Sequence, residues 1–278
     1  MMHSILVNEA TIRVTVFIGI FAVIALWEVV APRRKLLESK RNRWFGNLSI
    51  VVVNTLILRL LFPVMAVGLA IIARDKGWGL FNNLQLHWWF NLVLSVVFFD
   101  MMIYLQHVMF HSVPLLWRLR RMHHADLDYD VTTGSRFHPV EIILSMLIKM
   151  ALVLVIGPLP AAVVVFEALL NGTAMFNHGN IRIPKSVDGI IRWLLVTPDM
   201  PRVHHSVIPV ETNSNYGFNL SWWDRLFGTY RAQPKEGHAG MTIGLDVFRE
   251  SKYLHPHWLL VQPFLNTKPD NKRSTKKG

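Results

Sequence analysis

The chain has 278 residues, of which 52% are hydrophobic and only 17% charged, and its mean hydropathy of +0.32 is too high for an ordinary water-soluble domain. Because it contains no cysteine, disulfides, thiolate nucleophiles and Cys-ligated metals are excluded. No nucleic-acid-binding motif accompanies the net charge of +11, so we expect its basic residues to face anionic lipid and expect no nucleic-acid partner.

Long apolar stretches predict membrane-spanning helices, because a hydrocarbon core about 30 Å thick takes roughly 20 helical residues. Three N-terminal spans are predicted at about 11–31, 48–73 and 88–106. A later apolar stretch, 142–170, is interrupted at Gly157, Pro158 and Pro160, which indicates a hairpin of two shorter helices. The predicted fold is all-α, a polytopic integral membrane bundle with a histidine-rich cytoplasmic cap built from 113–140 and 178–230.

The distribution of basic residues predicts the orientation of the bundle, because short cytoplasmic loops carry an excess of Lys and Arg. Six basic residues follow the first span, from Arg33 to Arg43. This excess places that loop in the cytoplasm and the N-terminus outside. Three spans and a returning hairpin then bring all histidines from His111 onward, together with the C-terminus, to the cytoplasmic side.

The chain divides into three predicted regions. Residues 1–106 carry the N-terminal spans, 107–230 form the catalytic region with its hydrophobic hairpin, and 231–278 form a polar C-terminal region. From Asn266 onward the composition predicts disorder. Within the catalytic region, the pattern at 187–196 favours an amphipathic helix at the membrane surface.

Histidines concentrate in four groups beside the apolar stretches. In the third span, Asp100, Tyr104, His107 and His111 recur at helical spacing and form one polar stripe. A lone intramembrane histidine could simply hydrogen-bond a neighbouring helix. Repeated groups favour a metal site instead. The candidate ligands and catalytic residues are His107, His111, His123, His124, His178, His204 and His205.

Five motifs in order carry a family resemblance: HVMFH, RMHHADLDYDVTTGSRFHP, NHGN, TPDMPRVHHS and NYGFNLSWWDRLFGTY. Together they extend over about 100–230 and resemble the fatty acid hydroxylase superfamily, also called the sterol desaturase family. The resemblance implies a His-ligated centre of two iron ions that uses O₂ to oxidise an unactivated C–H bond of a sterol, fatty acyl chain or related lipid. The outcome is hydroxylation or desaturation.

The same resemblance implies a separate electron donor. No HPGG haem-binding signature of a fused cytochrome b5 domain is present, since His138-Pro139 and His255-Pro256 continue differently. We therefore expect electrons from another protein such as cytochrome b5, a ferredoxin or a reductase.

Two positions depart from the family pattern, in which the second and fourth groups usually read HxxHH. Arg120 and Pro201 stand where the first histidine of each is expected, and neither side chain can bind a cation. Asp126, Asp199 or water could replace the missing nitrogens.

Three function classes remain open. The preferred one is an O₂-dependent lipid oxygenase. A catalytically impaired or inactive lipid-binding homologue is the alternative that Arg120 and Pro201 suggest. A zinc metallohydrolase is the weaker alternative, because no HExxH motif supplies a general base.

Other polar residues are assigned supporting roles or none. Asp100, His138, Asn177 and Asp199 are candidates for hydrogen bonds to the ligands. For His138 a loop cap before the hairpin is the competing interpretation, and for His178 it is a polar helix end. Aromatic residues at 87–89 and 222–227 are expected at the membrane interface. His238, His255 and His257 receive no role.

Overall fold

The computed structural model describes residues 9–266, and these form helices and connecting loops without a β-strand. The six long or central helices are α1 (Glu9–Val30), α2 (Lys40–Leu61), α3 (Ala66–Lys76), α4 (Trp88–Ser112), α6 (Pro139–Ile156) and α7 (Pro160–Asn177). The shorter ones are α5 (Pro114–His124), α8 (Lys185–Ile191), α9 (Asp199–His204), α10 (Pro209–Thr212), α11 (Trp222–Leu226), α12 (Gly237–Gly240) and α13 (Pro256–Val261). The predicted disorder from Asn266 onward falls on 267–278, which lie outside the described residues.

Four segments of the described chain are long and apolar enough to cross a membrane: Lys40–Lys76, Trp88–Ser112, Pro139–Ile156 and Pro160–Asn177. A shorter apolar segment, Val14–Val30, belongs to α1. Large apolar side chains on the outer faces remain exposed, for example Val30 at 74% and Leu60 at 79%. Such surfaces are stable in lipid and unfavourable in water. The predicted all-helical membrane fold is confirmed.

The second apolar stretch is two helices rather than one. Its helix α2 begins at Lys40, and a break after Leu61 separates it from α3. Pro63 accounts for the break, because proline lacks the backbone N–H and disfavours helical geometry in the residue before it.

The hairpin of α6 and α7 turns at Gly157, whose φ of +59° is a left-handed conformation. A Cβ atom at this position would lie 2.6 Å from the Asn82 amide nitrogen and from the Trp78 carbonyl. Glycine is therefore required both by the turn and by the loop that packs on it. This loop joins α3 to α4 at the end of the bundle opposite the histidines.

A buried apolar cluster holds the membrane helices together. It is formed by α3, α4, α6 and α7, with Phe99 and Phe166 stacked at a ring-centroid distance of 5.1 Å near its centre. Of the other long helices, α1 packs against α7 and α2 packs against α6.

Polar contacts fix the cap on the membrane helices. The guanidinium of Arg43, on α2, donates to Asp126 at 2.8 and 2.9 Å and also binds Asp130. Asp100, on α4, accepts from the backbone and side chain of Asn219 at 3.1 and 2.7 Å. These buried charged groups anchor the loops that carry the histidines.

Candidate metal centre

The seven candidate histidines converge at one end of the bundle, although they come from four segments. His107 and His111 lie one turn apart on α4, and His123 and His124 end α5. His178 directly follows α7, while His204 and His205 lie at the end of α9. Their side chains form two adjoining groups, called here the four-histidine group and the three-histidine group.

The four-histidine group consists of His107, His111, His124 and His204, whose ligand atoms all lie within 4.8 Å of one another. The Nε2 atoms of His111 and His124 approach to 3.1 Å. Such separations suit nitrogens that share one ion, since Zn–N and similar bonds are about 2.0–2.1 Å long.

The three-histidine group consists of His123, His178 and His205, again with ligand atoms within 4.8 Å. The ring of His205 lies 4.5 Å from that of His123 and 4.5 Å from that of His124, centroid to centroid. It therefore lies where the two groups meet.

Backbone carbonyls orient four of the seven rings. Nδ1 of His107 lies 2.9 Å from the Tyr216 carbonyl, and Nδ1 of His123 lies 3.1 Å from the Arg136 carbonyl. Nδ1 of His178 lies 2.9 Å from the Ala174 carbonyl, and Nδ1 of His204 lies 2.7 Å from the Ser214 carbonyl. Because a carbonyl oxygen only accepts, Nδ1 carries the proton and Nε2 keeps its lone pair. This is the tautomer that a metal site requires.

Burial favours neutral imidazole in the cap. It lowers the pKa of His178 to about 4 and, together with the charge of Arg120, lowers the pKa of His204 to about 3. It also holds the pKa values of His123, His124 and His205 well below the usual range. Neutral rings are the form that binds cations.

The residues present fit a pair of metal ions. The Nε2 atoms of His123 and His204 and both ring nitrogens of His205 are buried without a hydrogen-bond partner. Unpaired polar atoms are costly inside a protein, and a bound cation would satisfy them. Nitrogen-only ligands suit iron or zinc.

The guanidinium of Arg120 reaches into the four-histidine group. Its Nη2 atom donates to Nε2 of His107 at 2.8 Å, while Nη1 donates to the Glu141 carboxylate at 3.0 Å. An arginine therefore occupies the position at which the family resemblance implies a further ligand.

Neither aspartate that was considered as a substitute ligand is available for that role. Asp126 pairs with Arg43, and although burial opposes its charged form, Arg43 and Arg136 hold its pKa well below the usual range. Asp199 pairs with Arg33 at 3.0 Å and with Arg202. Both carboxylates are bound by cations of the chain and lie outside the two histidine groups.

Asp100 and Asn177, predicted to hydrogen-bond the ligands, instead hydrogen-bond a loop that orients a ligand. Asp100 accepts hydrogen bonds from 219, 220 and 223, in the loop whose Tyr216 carbonyl orients His107. Asn177 donates to the Phe218 carbonyl in the same loop. His138 accepts from the Val140 N–H and caps α6, which agrees with the loop-cap interpretation.

Some residues of the site were absent from the sequence prediction. The four orienting carbonyls have no sequence signal, because any residue supplies one. Arg43 gave no such signal either, because it lies beside Lys40 and Arg41 in the first turn of α2 and reads as one more basic residue of the loop; only the structure shows its partners in the acidic run at 126–130. Glu141, which pairs with Arg120, lies in none of the histidine groups and was assigned no role.

Comparison with known proteins agrees with this geometry. The family model for fatty acid hydroxylase matches residues 92–229, which include all seven histidines. The chain belongs to the fatty acid hydroxylase superfamily. No solved structure matches it significantly.

Several relatives share this domain. The ornithine lipid hydroxylase OlsE of Rhizobium tropici is 26% identical over 244 residues, 82% of this chain and 70% of that protein. The alkylglycerol monooxygenases of Xenopus tropicalis and Homo sapiens are 28% and 27% identical, over 66% and 61% of this chain. The chain spans only 41% and 36% of those two proteins.

The superfamily and these relatives confirm the predicted enzyme class, an O₂-dependent oxidoreductase. A lipid substrate and a membrane setting agree with the same findings and with the four apolar segments.

Proposed function

We propose that the protein is a membrane-bound lipid hydroxylase whose two histidine groups hold two iron ions. The observation that carries the proposal is the pair of buried histidine groups, each with ligand atoms within 4.8 Å, at the ends of membrane helices. When bound, the iron ions would supply the activation of O₂ for attack on a C–H bond. Zinc is an alternative occupant of the same nitrogens in isolated protein.

The chain's own contribution is to hold and orient the ligands and to exclude water. The carbonyls of Tyr216 and Ser214 fix the rings of His107 and His204, so that Nε2 faces the group. The loop bearing them is fixed in turn by Asp100. Removing such a supporting contact typically lowers metal affinity about 10- to 100-fold.

The substrate class follows from the depth of the site. The histidines lie where α4 and α7 end, which is the level of the headgroups, so a lipid with its polar head at the surface can present a nearby chain carbon. The relatives are an ornithine lipid hydroxylase and alkylglycerol monooxygenases, which favours hydroxylation of a polar-headed membrane lipid over desaturation.

Two further elements complete the proposal. The histidine groups and the C-terminus lie on the cytoplasmic side, in line with the basic residues between Arg33 and Arg43. There a separate protein such as cytochrome b5, a ferredoxin or a reductase delivers electrons.

Lipid mass spectrometry under ¹⁸O₂ tests the activity. In a host whose membranes supply ornithine lipids and alkylglycerols, the wild-type chain should yield a lipid heavier by one oxygen atom that comes from O₂. His205→Ala should abolish the product, whereas His87→Ala should retain it, because the exposed His87 lies outside both groups. Oxygen derived only from water would favour the hydrolase, and no product would favour the inactive homologue.

A further inference from the structure

One lone pair in the site has two potential partners. The Nδ1 proton of His107 is donated to the Tyr216 carbonyl at 2.9 Å, which leaves Nε2 as the only basic nitrogen of the ring. That same Nε2 accepts from the Arg120 guanidinium at 2.8 Å. A nitrogen lone pair binds either a proton donor or a metal ion, so the two interactions exclude each other.

The guanidinium is firmly held in this position. Arg120 is 5% exposed, and its Nη1 atom donates to the Glu141 carboxylate at 3.0 Å. Its central carbon lies 5.1 Å from the ring centroid of Phe137. An arginine keeps its charge at any physiological pH, so it cannot become an acceptor or a ligand. Breaking a buried ion pair of this kind is costly.

The two histidine groups differ in this respect. In the three-histidine group, Nε2 of His123 and both nitrogens of His205 have no partner in the described chain, so a cation meets no competitor there. In the four-histidine group, only His111, His124 and His204 are not engaged by Arg120.

We propose that Arg120 competes with the metal for His107, so that the two groups bind ions with unequal affinity. The three-histidine group fills first. The four-histidine group binds its ion through His111, His124 and His204 unless the guanidinium withdraws from His107. This inference rests on the proposed metal function of the two groups.

Cobalt titration of the detergent-purified full chain tests the proposal, with visible absorbance reporting each bound Co²⁺. The wild type should bind two Co²⁺ ions with affinities that differ about 10- to 100-fold. His107→Ala should change the weaker affinity less than about threefold, because Arg120 already occupies the His107 nitrogen. His204→Ala should abolish the weaker site, because His204 is one of its three ligands.

Removing the competitor should reverse the result for His107. In the double variant Arg120→Met with Glu141→Gln, which leaves no unpaired charge, the weaker site should tighten about 10-fold or more, and adding His107→Ala should then cancel the gain. Arg118→Met, on the same helix but bonded to the Pro263 carbonyl, is the matched control and should leave both affinities unchanged.

The outcomes separate the inference from the proposed function. Two results would overturn the proposed competition but leave the metal centre in place. One is equal Co²⁺ affinities of the two sites in the wild type. The other is a loss of Co²⁺ affinity in His107→Ala as large as that in His204→Ala. No Co²⁺ binding by the wild type would overturn the centre itself. If the double variant does not fold, the two histidine variants still decide the matter.

Discussion

The contact between Gly134 and the end of α7 shows how closely the histidine environment is specified. A Cβ atom on Gly134 would lie 2.3 Å from the Ala174 carbonyl oxygen and 3.2 Å from His178 Nδ1. That carbonyl is the acceptor that orients His178. The absence of a side chain at one position therefore permits the hydrogen bond that prepares a ligand.

Gly134→Ala should disturb this hydrogen bond. The added methyl group should destabilise the protein by about 1–3 kcal/mol through overpacking. It should also weaken Co²⁺ binding by the three-histidine group, because it displaces His178. Thermal unfolding in detergent and Co²⁺ titration measure the two effects. Gly189→Ala is the matched control, since nothing lies within 4 Å of a Cβ there. Equal behaviour of the two variants would contradict the predicted role.

Asp100→Asn should loosen the loop at 216–223. One carboxylate oxygen accepts from the Leu220 N–H at 3.0 Å and from the Trp223 indole at 2.9 Å, and the other accepts twice from Asn219. An amide has only one acceptor oxygen and cannot satisfy all four donors. A loss of roughly 1–3 kcal/mol of unfolding free energy is expected. Denaturation in detergent measures it, with Asp246→Asn at an exposed position as the control. A loss no greater than the control's would rule out this anchor.

At the level of the elements, buried charge joins α2 to the cap. Arg43 is fully buried and binds both Asp126 and Asp130. Asp130 in turn accepts from the Trp44 indole at 3.2 Å. The acidic run of the cap is thus a docking point for a membrane helix, and it is not a reserve of metal ligands.

Arg43→Met should therefore cost far more than the loss of a surface pair. Leaving Asp130 buried without its cation, and Asp126 with only Arg136 at 3.7 Å, should lower the unfolding free energy by about 3–5 kcal/mol. Arg74→Met is the comparison, because the Arg74–Asp75 pair is exposed and such pairs contribute about 0–1 kcal/mol. Thermal melts of both variants measure the difference, and similar shifts would show that Arg43 is dispensable.

The membrane helices could be predicted from the sequence where a long apolar stretch marks each of them. The hairpin break was readable because Gly157 and two prolines mark it. The division between α2 and α3 was missed, since Pro63 stands alone inside a long apolar run and hydropathy averages over it. For the site, the motifs named the histidines, but which ones share a group depends on contacts between distant segments. His124 lies with His111, whereas its neighbour His123 lies with His178.

Across the whole molecule, the loop before α4 and the histidines lie at opposite ends of the bundle. The 25 residues of α4 span about 37 Å between these ends, enough to cross the hydrocarbon core. The orientation of the bundle therefore decides from which compartment electrons must arrive.

Single-cysteine labelling can determine this orientation, because the chain has no cysteine of its own. With Gln85→Cys before α4 and Lys252→Cys in the C-terminal region, both exposed, a membrane-impermeant maleimide should label only residue 85 from outside intact cells. Both should react after permeabilisation. Labelling of residue 252 alone from outside would reverse the proposed topology.

The number of metal ions bound per chain checks the proposed two-ion centre without relying on enzyme activity. Purified full-length protein, saturated with iron under reducing conditions and analysed by mass spectrometry of the metal, should contain two ions. The count should fall to one when His111 and His204 are replaced by alanine, and also to one when His123 and His178 are replaced. A count that stays unchanged in both variants, or a wild type without bound metal, would contradict the account.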